Sequence, residues 1–297
     1  MTGPERGFLL LTSQLGNPER KPLSVAQLRL LATRVEGIRR PNQERELTAA
    51  DLAQLGYGQE MARRIVELLE EEQLLDRYLR RGEKRDCLPL TRVTPGYPVA
   101  VRRRLGLDAP GCLWYKGEAS LLTGPKLALV GSRALLGANE TFAREVGRQA
   151  ALQGYTLVSG NAMGADLTAQ RACLETGGSV IAVVATELEQ FRKEDRVLYL
   201  AEDGFDLPFS PQRALSRNRV IHSLGEKTFV AQASLEKGGT WDGSVRNLRF
   251  GWSPVFCFDD GSEAIQRLGQ MGATLIDVEK LQDLAGLAPE NLTLFEQ

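Results

Sequence analysis

Two periodicities divide the chain. From Ser24 to about residue 86 the apolar positions recur at helical spacing, first in "SVAQLRLLATRV" and then in "TAADLAQLGYGQEMARRIVELLEEEQLLDRYLRRGEKRD". Thr48 stands where a helix cap belongs, with Asp51 three residues on. Gly56-Tyr57-Gly58 separates two helical stretches in the form of a helix–hairpin–helix, whose turn amides can meet a DNA phosphate. The run Glu70-Glu71-Glu72 reads as a solvated face. From residue 126 the pattern changes to short continuous apolar runs: "KLALVG" (126–131), "YTLVSG" (155–160), "SVIAVVA" (179–185), "KTFVAQA" (227–233) and "SPVFCF" (253–258). Helical patterns lie between them at 138–153, 164–176, 213–224 and 240–250, and another follows at 261–270. Buried strands alternating with helices predict an α/β fold with a Rossmann-like, doubly wound, mostly parallel sheet covered on both faces. A small α-helical domain of helix-hairpin-helix or SAM-like type precedes it. The expected division is helical domain 1–86, connector 87–122 with a short helix near 98–105, Rossmann-like domain 123–279 and tail 280–297.

Composition narrows the chemistry. Hydrophobic residues make up 42% and charged residues 25% of the 297, an ordinary globular balance with room for a sizeable core. No apolar run approaches the ~20 residues of a membrane span. The start, "MTGPERGFLLLTSQLG", lacks a basic segment and a cleavage site, so neither a signal peptide nor a membrane partner is expected and the cytoplasm is the expected compartment. Cys87, Cys112, Cys173 and Cys257 are far apart, which predicts isolated buried thiols and no zinc site. The single histidine, His222, makes histidine-centred acid–base chemistry and metal cages poor expectations. Net charge is −1, so a polyanionic partner has to be held by a local cluster.

Two such clusters stand out. Gly131-Ser132-Arg133 and Ser159-Gly160 each follow a strand and open onto a helix, the position where amides carry partial positive charge and favour an anion. Arg133 adds a guanidinium suited to a phosphate. The first loop is not Gly-x-Gly-x-x-Gly, the second strand ends without the acid that holds a ribose, and no Walker loop is present, so neither a nucleotide cofactor nor any other is expected. The second cluster is "FSPQRALSRNRVIHSLG", with Arg213, Arg217, Asn218 and Arg219 in about two helical turns, Arg213 and Arg217 sharing a face. Lys237-Gly238-Gly239-Thr240 is a third glycine loop opening a helix. Arg102, Arg103, Arg104 and Lys116 read as surface charge, and Phe209 is among few aromatic candidates for stacking.

In order and spacing these stretches resemble the DprA/Smf family of DNA-processing proteins, over roughly residues 89–276. "YPVAVRRRLGLDAPGCLWYKGEASLL" is similar to the family's lead-in, and "LALVGSR" to its first strand and Gly-Ser-Arg loop. "LVSGNAMGADLTAQRACLETGGSVIAVVATELE" and "FSPQRALSRNRVIHSLGEKTFVAQA" are similar to its two longer motifs. The resemblance implies a non-enzymatic homodimer that binds single-stranded DNA in a Rossmann-like pocket during natural transformation, protects it and loads a RecA-type recombinase onto it. The implied contacts are Gly131, Ser132, Arg133, Ser159, Gly160, Arg217, Asn218 and Arg219, with Lys237 to Thr240 a looser match. Gln170 departs from the family's usual histidine, and Asp259-Asp260 replaces a Pro-Gly with carboxylates that would repel phosphate.

Two other readings stay open. Related folds that bind or hydrolyse small nucleotides carry a glutamate after Gly-Gly-x-Gly-Thr, whereas "KGGTWDGSVRN" offers only Asp242 nearby. A divergent paralogue acting through protein contacts is the other, suggested by Asp259 and Asp260.

Overall fold

The computed structural model describes residues 1–36 and 47–289; residues 37–46 of the expected helical domain and 290–297 of the expected tail lie outside the described residues. Among the described residues five helices come first: α1 (Gly3–Thr12), α2 (Val25–Glu36), α3 (Ala49–Gln54), α4 (Gln59–Glu70) and α5 (Glu72–Lys84). Thr48 caps α3 as its sequence predicts, its side chain accepting from the Asp51 amide while Asp51 answers the Thr48 backbone. Leu23, Leu31, Leu52, Ile65 and Leu68 give these helices a small core.

The chain then enters the sheet. In order come β1 (Leu88–Thr91), α6 (Val99–Leu105), β2 (Cys112–Gly117), β3 (Lys126–Val130), α7 (Gly137–Leu152), β4 (Thr156–Ser159), α8 (Ala165–Glu175), β5 (Ser179–Val184) and β6 (Val197–Glu202). They are followed by α9 (Pro211–Ser216), α10 (Asn218–Leu224), β7 (Lys227–Val230), α11 (Gly238–Phe250), β8 (Val255–Phe258), α12 (Glu263–Gln270) and β9 (Thr274–Ile276). The spatial order is β1-β2-β6-β5-β4-β3-β7-β8-β9. From β6 to β9 every pairing is parallel; β2 and β1 extend that edge antiparallel. The sheet is the mostly parallel α/β sheet the periodicity predicts, longer by the two edge strands from the connector and by β6 and β9.

Strand order reverses between β3 and β7. The chain moves outward through β4, β5 and β6, then returns to place β7 on the other side of β3. In an open α/β sheet the crevice at the carboxyl ends of such a pair is where ligands fit. One core layer joins α1, α5, α7 and α8 to the sheet through Leu9, Leu75, Phe142, Val146 and Ala169; the opposite layer joins α6, α10 and α12 through Val101, Ile221 and Leu268. The N-terminal helices are tied into the first layer by Tyr78, which stacks on Phe205 at 4.6 Å and meets Trp114 edge-on at 5.2 Å.

The stretch 213–224 is not one helix. A Ser210 cap starts α9 at Pro211, and Arg217 separates α9 from α10 while keeping right-handed backbone angles. The walls of the crevice are then fixed from below. His222 of α10 is fully buried, and Asn247 of α11 donates to its Nδ1 at 3.1 Å and to Ser253 Oγ at 3.1 Å. Thr228 Oγ1 and Ser253 Oγ lie 2.7 Å apart in the same cluster. Burial pushes His222 down to about 3, so its ring is neutral and structural.

Two predictions follow from this packing. A Cβ at Gly147 of α7 would come within 2.1 Å of the Ala169 carbonyl oxygen of α8. Gly147→Ala is expected to cost about 1–3 kcal/mol in urea unfolding, because two close-packed helices have to part. For His222, the folded state resists a proton that the unfolded chain takes up near pH 6.5, so this contribution weakens as pH falls through the window from about 6.5 to about 3. Between pH 7 and pH 5 wild type is expected to lose about 2 kcal/mol more than His222→Gln. Equal losses would show that His222 does not set the acid limb.

Candidate nucleic-acid interface

The two glycine loops at the ends of β3 and β4 press against each other. Gly164, at φ +81°, leaves no room for a side chain: a Cβ there would sit 2.4 Å from the carbonyl oxygens of both Ser132 and Arg133. The Ala165 amide donates to the Ser132 carbonyl at 3.1 Å, joining the loops by their backbones. Gly131 is equally confined, since its Cβ would meet that of Ala165 at 2.5 Å. Thr240 Oγ1 donates to the Gly131 carbonyl at 2.9 Å, and Asn218 Nδ2 to the Gly239 carbonyl at 2.8 Å. These bonds lock the first loop, the start of α10 and the start of α11 into one assembly.

Between them lies a cavity of about 490 Å³ at the β3/β7 reversal. Gly131, Ser132, Arg133, Arg217, Asn218, Lys237, Gly238, Gly239 and Thr240 line it, joined by Asp166, Phe209 and Gln232. Its charged lining is Arg133, Arg217 and Lys237 against the single carboxylate of Asp166, a net positive site on a chain of net charge −1. Arg133 and Lys237 are exposed. Lys237 precedes α11 without a side-chain cap, so the first amides of that helix lack that partner.

Arg217 is the unusual member. Only 8% exposed, it lies against Gly160, where a Cβ would be 1.5 Å from Nη1. Nη1 donates to the Val183 carbonyl at 3.0 Å, and Nε has no partner. Burial pulls its pKa down, against the pull of Asp166. Burial in turn pushes the Asp166 carboxyl up, opposed by Arg217 and by the Ala162 amide, which donates to Oδ2 at 3.1 Å. A charge buried with spare donors is costly unless a partner completes it.

The other expected residues lie elsewhere. Ser159 is fully buried and accepts from Gln170 Nε2 at 2.5 Å, so Gln170 braces the second loop. Gly160 serves as the seat of Arg217. Arg213 and Arg219, expected on phosphate, do not line this cavity and are bound by other parts of the protein, although Arg219 Nε has no partner. Arg213 Nη1 donates to the carbonyls of Ala185, Leu207 and Pro208 at 2.9, 2.7 and 2.8 Å. Arg219 pairs with Glu202 at 2.7 Å and donates to Ser216 Oγ at 2.8 Å. Arg213 and Arg217 do share a helical turn, the Arg217 amide donating to the Arg213 carbonyl at 3.0 Å, but only Arg217 reaches this cavity. Asp259 and Asp260 are also outside the lining; Asp260 accepts from Asn139 Nδ2 at 2.7 Å and from the Ser262 amide at 2.9 Å. Asp242 is exposed on α11 and is not part of the lining. Arg104, read as surface charge, instead donates to the Ser223 carbonyl at 3.0 Å and ties α6 to α10.

Sequence reading did not single out Asp166 or Gln232. Asp166 stands in the quoted Gly-Ala-Asp stretch, and its position at the start of α8 beside the glycine loop was the available signal. Among the described residues no His, Cys, Asp and Glu side chains cluster as metal ligands, and no helix is long and apolar enough to cross a membrane.

Residues 89–285 match the family model described as DNA recombination-mediator protein A. The chain is similar to the DNA processing protein DprA of Streptococcus pneumoniae, with 34% identity over 193 residues, 57% of this chain and 64% of that one. It is also similar to protein Smf of Escherichia coli, with 34% identity over 142 residues, 44% of this chain and 38% of that one. Thus the aligned stretch spans less than two thirds of either relative. Among solved structures, DprA of S. pneumoniae superposes with a TM-score of 0.71 at 25% identity, covering 97% of this chain and 99% of that one. DNA processing protein A of Helicobacter pylori, whose structure concerns a single-stranded DNA binding mode, gives 0.56 at 22% identity, covering 66% and 94%.

The contact between Gly160 and Arg217 can be tested by itself. Gly160→Ala is expected to cost about 1–3 kcal/mol in urea unfolding in wild type and far less in an Arg217→Ala background. Equal costs in both backgrounds would mean that the arginine does not need this glycine.

Proposed function

The chain belongs to the DNA recombination-mediator protein A family, and from that premise we propose that it binds single-stranded DNA in the cavity at the β3/β7 reversal. One observation carries the proposal: a nearly fully buried guanidinium, Arg217, with an unpartnered Nε, lines a cavity flanked by two loop ends and a helix start. The phosphodiester chain supplies the anion this arrangement lacks. Amides of Gly131 to Arg133 and of Gly238 to Thr240, with Arg133, Arg217 and Lys237, hold successive phosphates. Asn218 and Thr240 keep the donors in register. Ser159 and Gly160 shape the floor, while Arg213 and Arg219 brace the wall.

Backbone contacts of this kind position a strand without reading its sequence. The mechanism involves no bond cleavage, so the proposed role is non-catalytic, in DNA processing and natural transformation. The protein would act as a homodimer that protects incoming single strands and hands them to a RecA-type recombinase. The description of the matched family as a recombination mediator supports the hand-over. The solved H. pylori relative, with its single-stranded DNA binding mode, supports the ligand.

With three cations on the strand, log affinity is expected to fall against log salt with a slope of about −2. Arg133→Ala should weaken all single strands by about tenfold at low salt and reduce the slope by about 0.7. Fluorescence anisotropy with labelled oligothymidylate at two salt concentrations measures both. Unchanged affinity and slope would remove Arg133 from the interface.

A further inference from the structure

A second cavity, of about 630 Å³, lies beyond the carboxyl ends of β5 and β6, between the sheet and the N-terminal helices. It neighbours the first, for Phe209 and Arg217 line both. Its apolar walls include Leu28, Val184, Leu207 and Pro208. Its polar lining includes two adjacent carboxylates, Glu202 and Asp203. Glu202 is 6% exposed; one oxygen serves Arg219, and the other, Oε1, has no partner. Among the described residues no side chain donates a hydrogen bond to Asp203, whose backbone is held at φ +68°. Burial and the neighbouring Glu202 push the Asp203 carboxyl up, against the opposing pull of Arg219 and Arg213.

Cations are an unsuitable complement, because Arg213, Arg217 and Arg64 also line the space. A flat, mostly apolar group with a neutral N–H donor suits it better. Resting on the reading of the first cavity as a phosphate cradle, we propose that the second cavity takes an unpaired base of the bound strand that bears an exocyclic amino group. Asp203 accepts the amino proton, and Phe209 flanks the ring as the strand passes between the cavities. Cytosine and adenine both present such an amino group to a carboxylate acceptor. Uracil and thymine present a carbonyl oxygen in place of that amino group and offer the carboxylate no donor at that position.

The test compares labelled 20-mers of dC and dU, which differ in the base only at the amino edge, by anisotropy on wild type, Gln212→Trp and Asp203→Gly, which removes the acceptor and suits the positive φ there. Gln212 is an exposed position on α9 that lines the second cavity, so a tryptophan there adds bulk to the lining while both carboxylates stay in the sequence. Wild type is expected to bind dC about tenfold more tightly than dU, in the range of one good base-edge pair. Both variants are expected to bring dC down to the dU level and leave dU affinity unchanged. Equal dC and dU affinities in wild type, or a preference that survives both variants, overturn the base subsite and leave the cradle standing. Absence of binding to either strand at low salt overturns the cradle and the subsite with it. Displacement of the labelled strand by sub-millimolar dCMP but not dUMP would assign the cavity to a free nucleotide and overturn its role on the strand.

Discussion

The architecture of the site depends on backbones brought closer together than side chains would permit. The loop after β3 and the loop after β4 share a surface only because Gly131 and Gly164 have no Cβ to collide with their neighbours. Gly160 makes the same concession to Arg217, whose guanidinium occupies the space a methyl group would need. With the loops in contact, the start of α11 can reach them through Thr240, and the start of α10 can reach α11 through Asn218. The result is a rigid ring of donors around a cavity, with a buried positive charge at its wall.

That buried charge links the fold to its proposed ligand. Arg217 gives up water for one carbonyl, the attraction of Asp166 and a close glycine. Neither Asp166 nor Val183 satisfies Nε. An incoming phosphate would neutralise the guanidinium and use its remaining donors. Asp166 is then less an obstacle to an anion than a nearby negative charge that offsets the burial of Arg217 before the ligand arrives. A global basic field is unnecessary, which reconciles a chain of net charge −1 with a polyanionic partner.

Much of this was legible in the sequence. Continuous apolar runs gave five of the parallel strands, and glycine directly after two of them marked the site. β6 was missed because "RKEDRVLYLAED" flanks its five apolar residues with charge instead of turn residues. β1 and β2 were missed because the prolines and glycines around them resemble a linker; as edge strands they tolerate such neighbours. The arginines show the harder limit. Arg213, Arg217, Asn218 and Arg219 stand close together in sequence, yet their clustering says nothing about which donors the protein itself consumes. No glycine or proline marks the break at Arg217, so 213–224 reads as one helix, although Arg213 and Arg217 do keep a shared helical turn. The carbonyls of Ala185, Leu207 and Pro208 claim Arg213, Glu202 claims Arg219, and only Arg217 opens onto the cradle. Those acceptors come from distant parts of the chain and are brought to the arginines by tertiary folding.

A crystal structure of the protein with a short oligothymidylate tests the cradle most directly. The account predicts a phosphate at hydrogen-bonding distance from Arg217 and from backbone amides of the 131–133 loop, with the next phosphate near Lys237. A strand ordered on another surface, with the space between the two loops filled only by water, would contradict it.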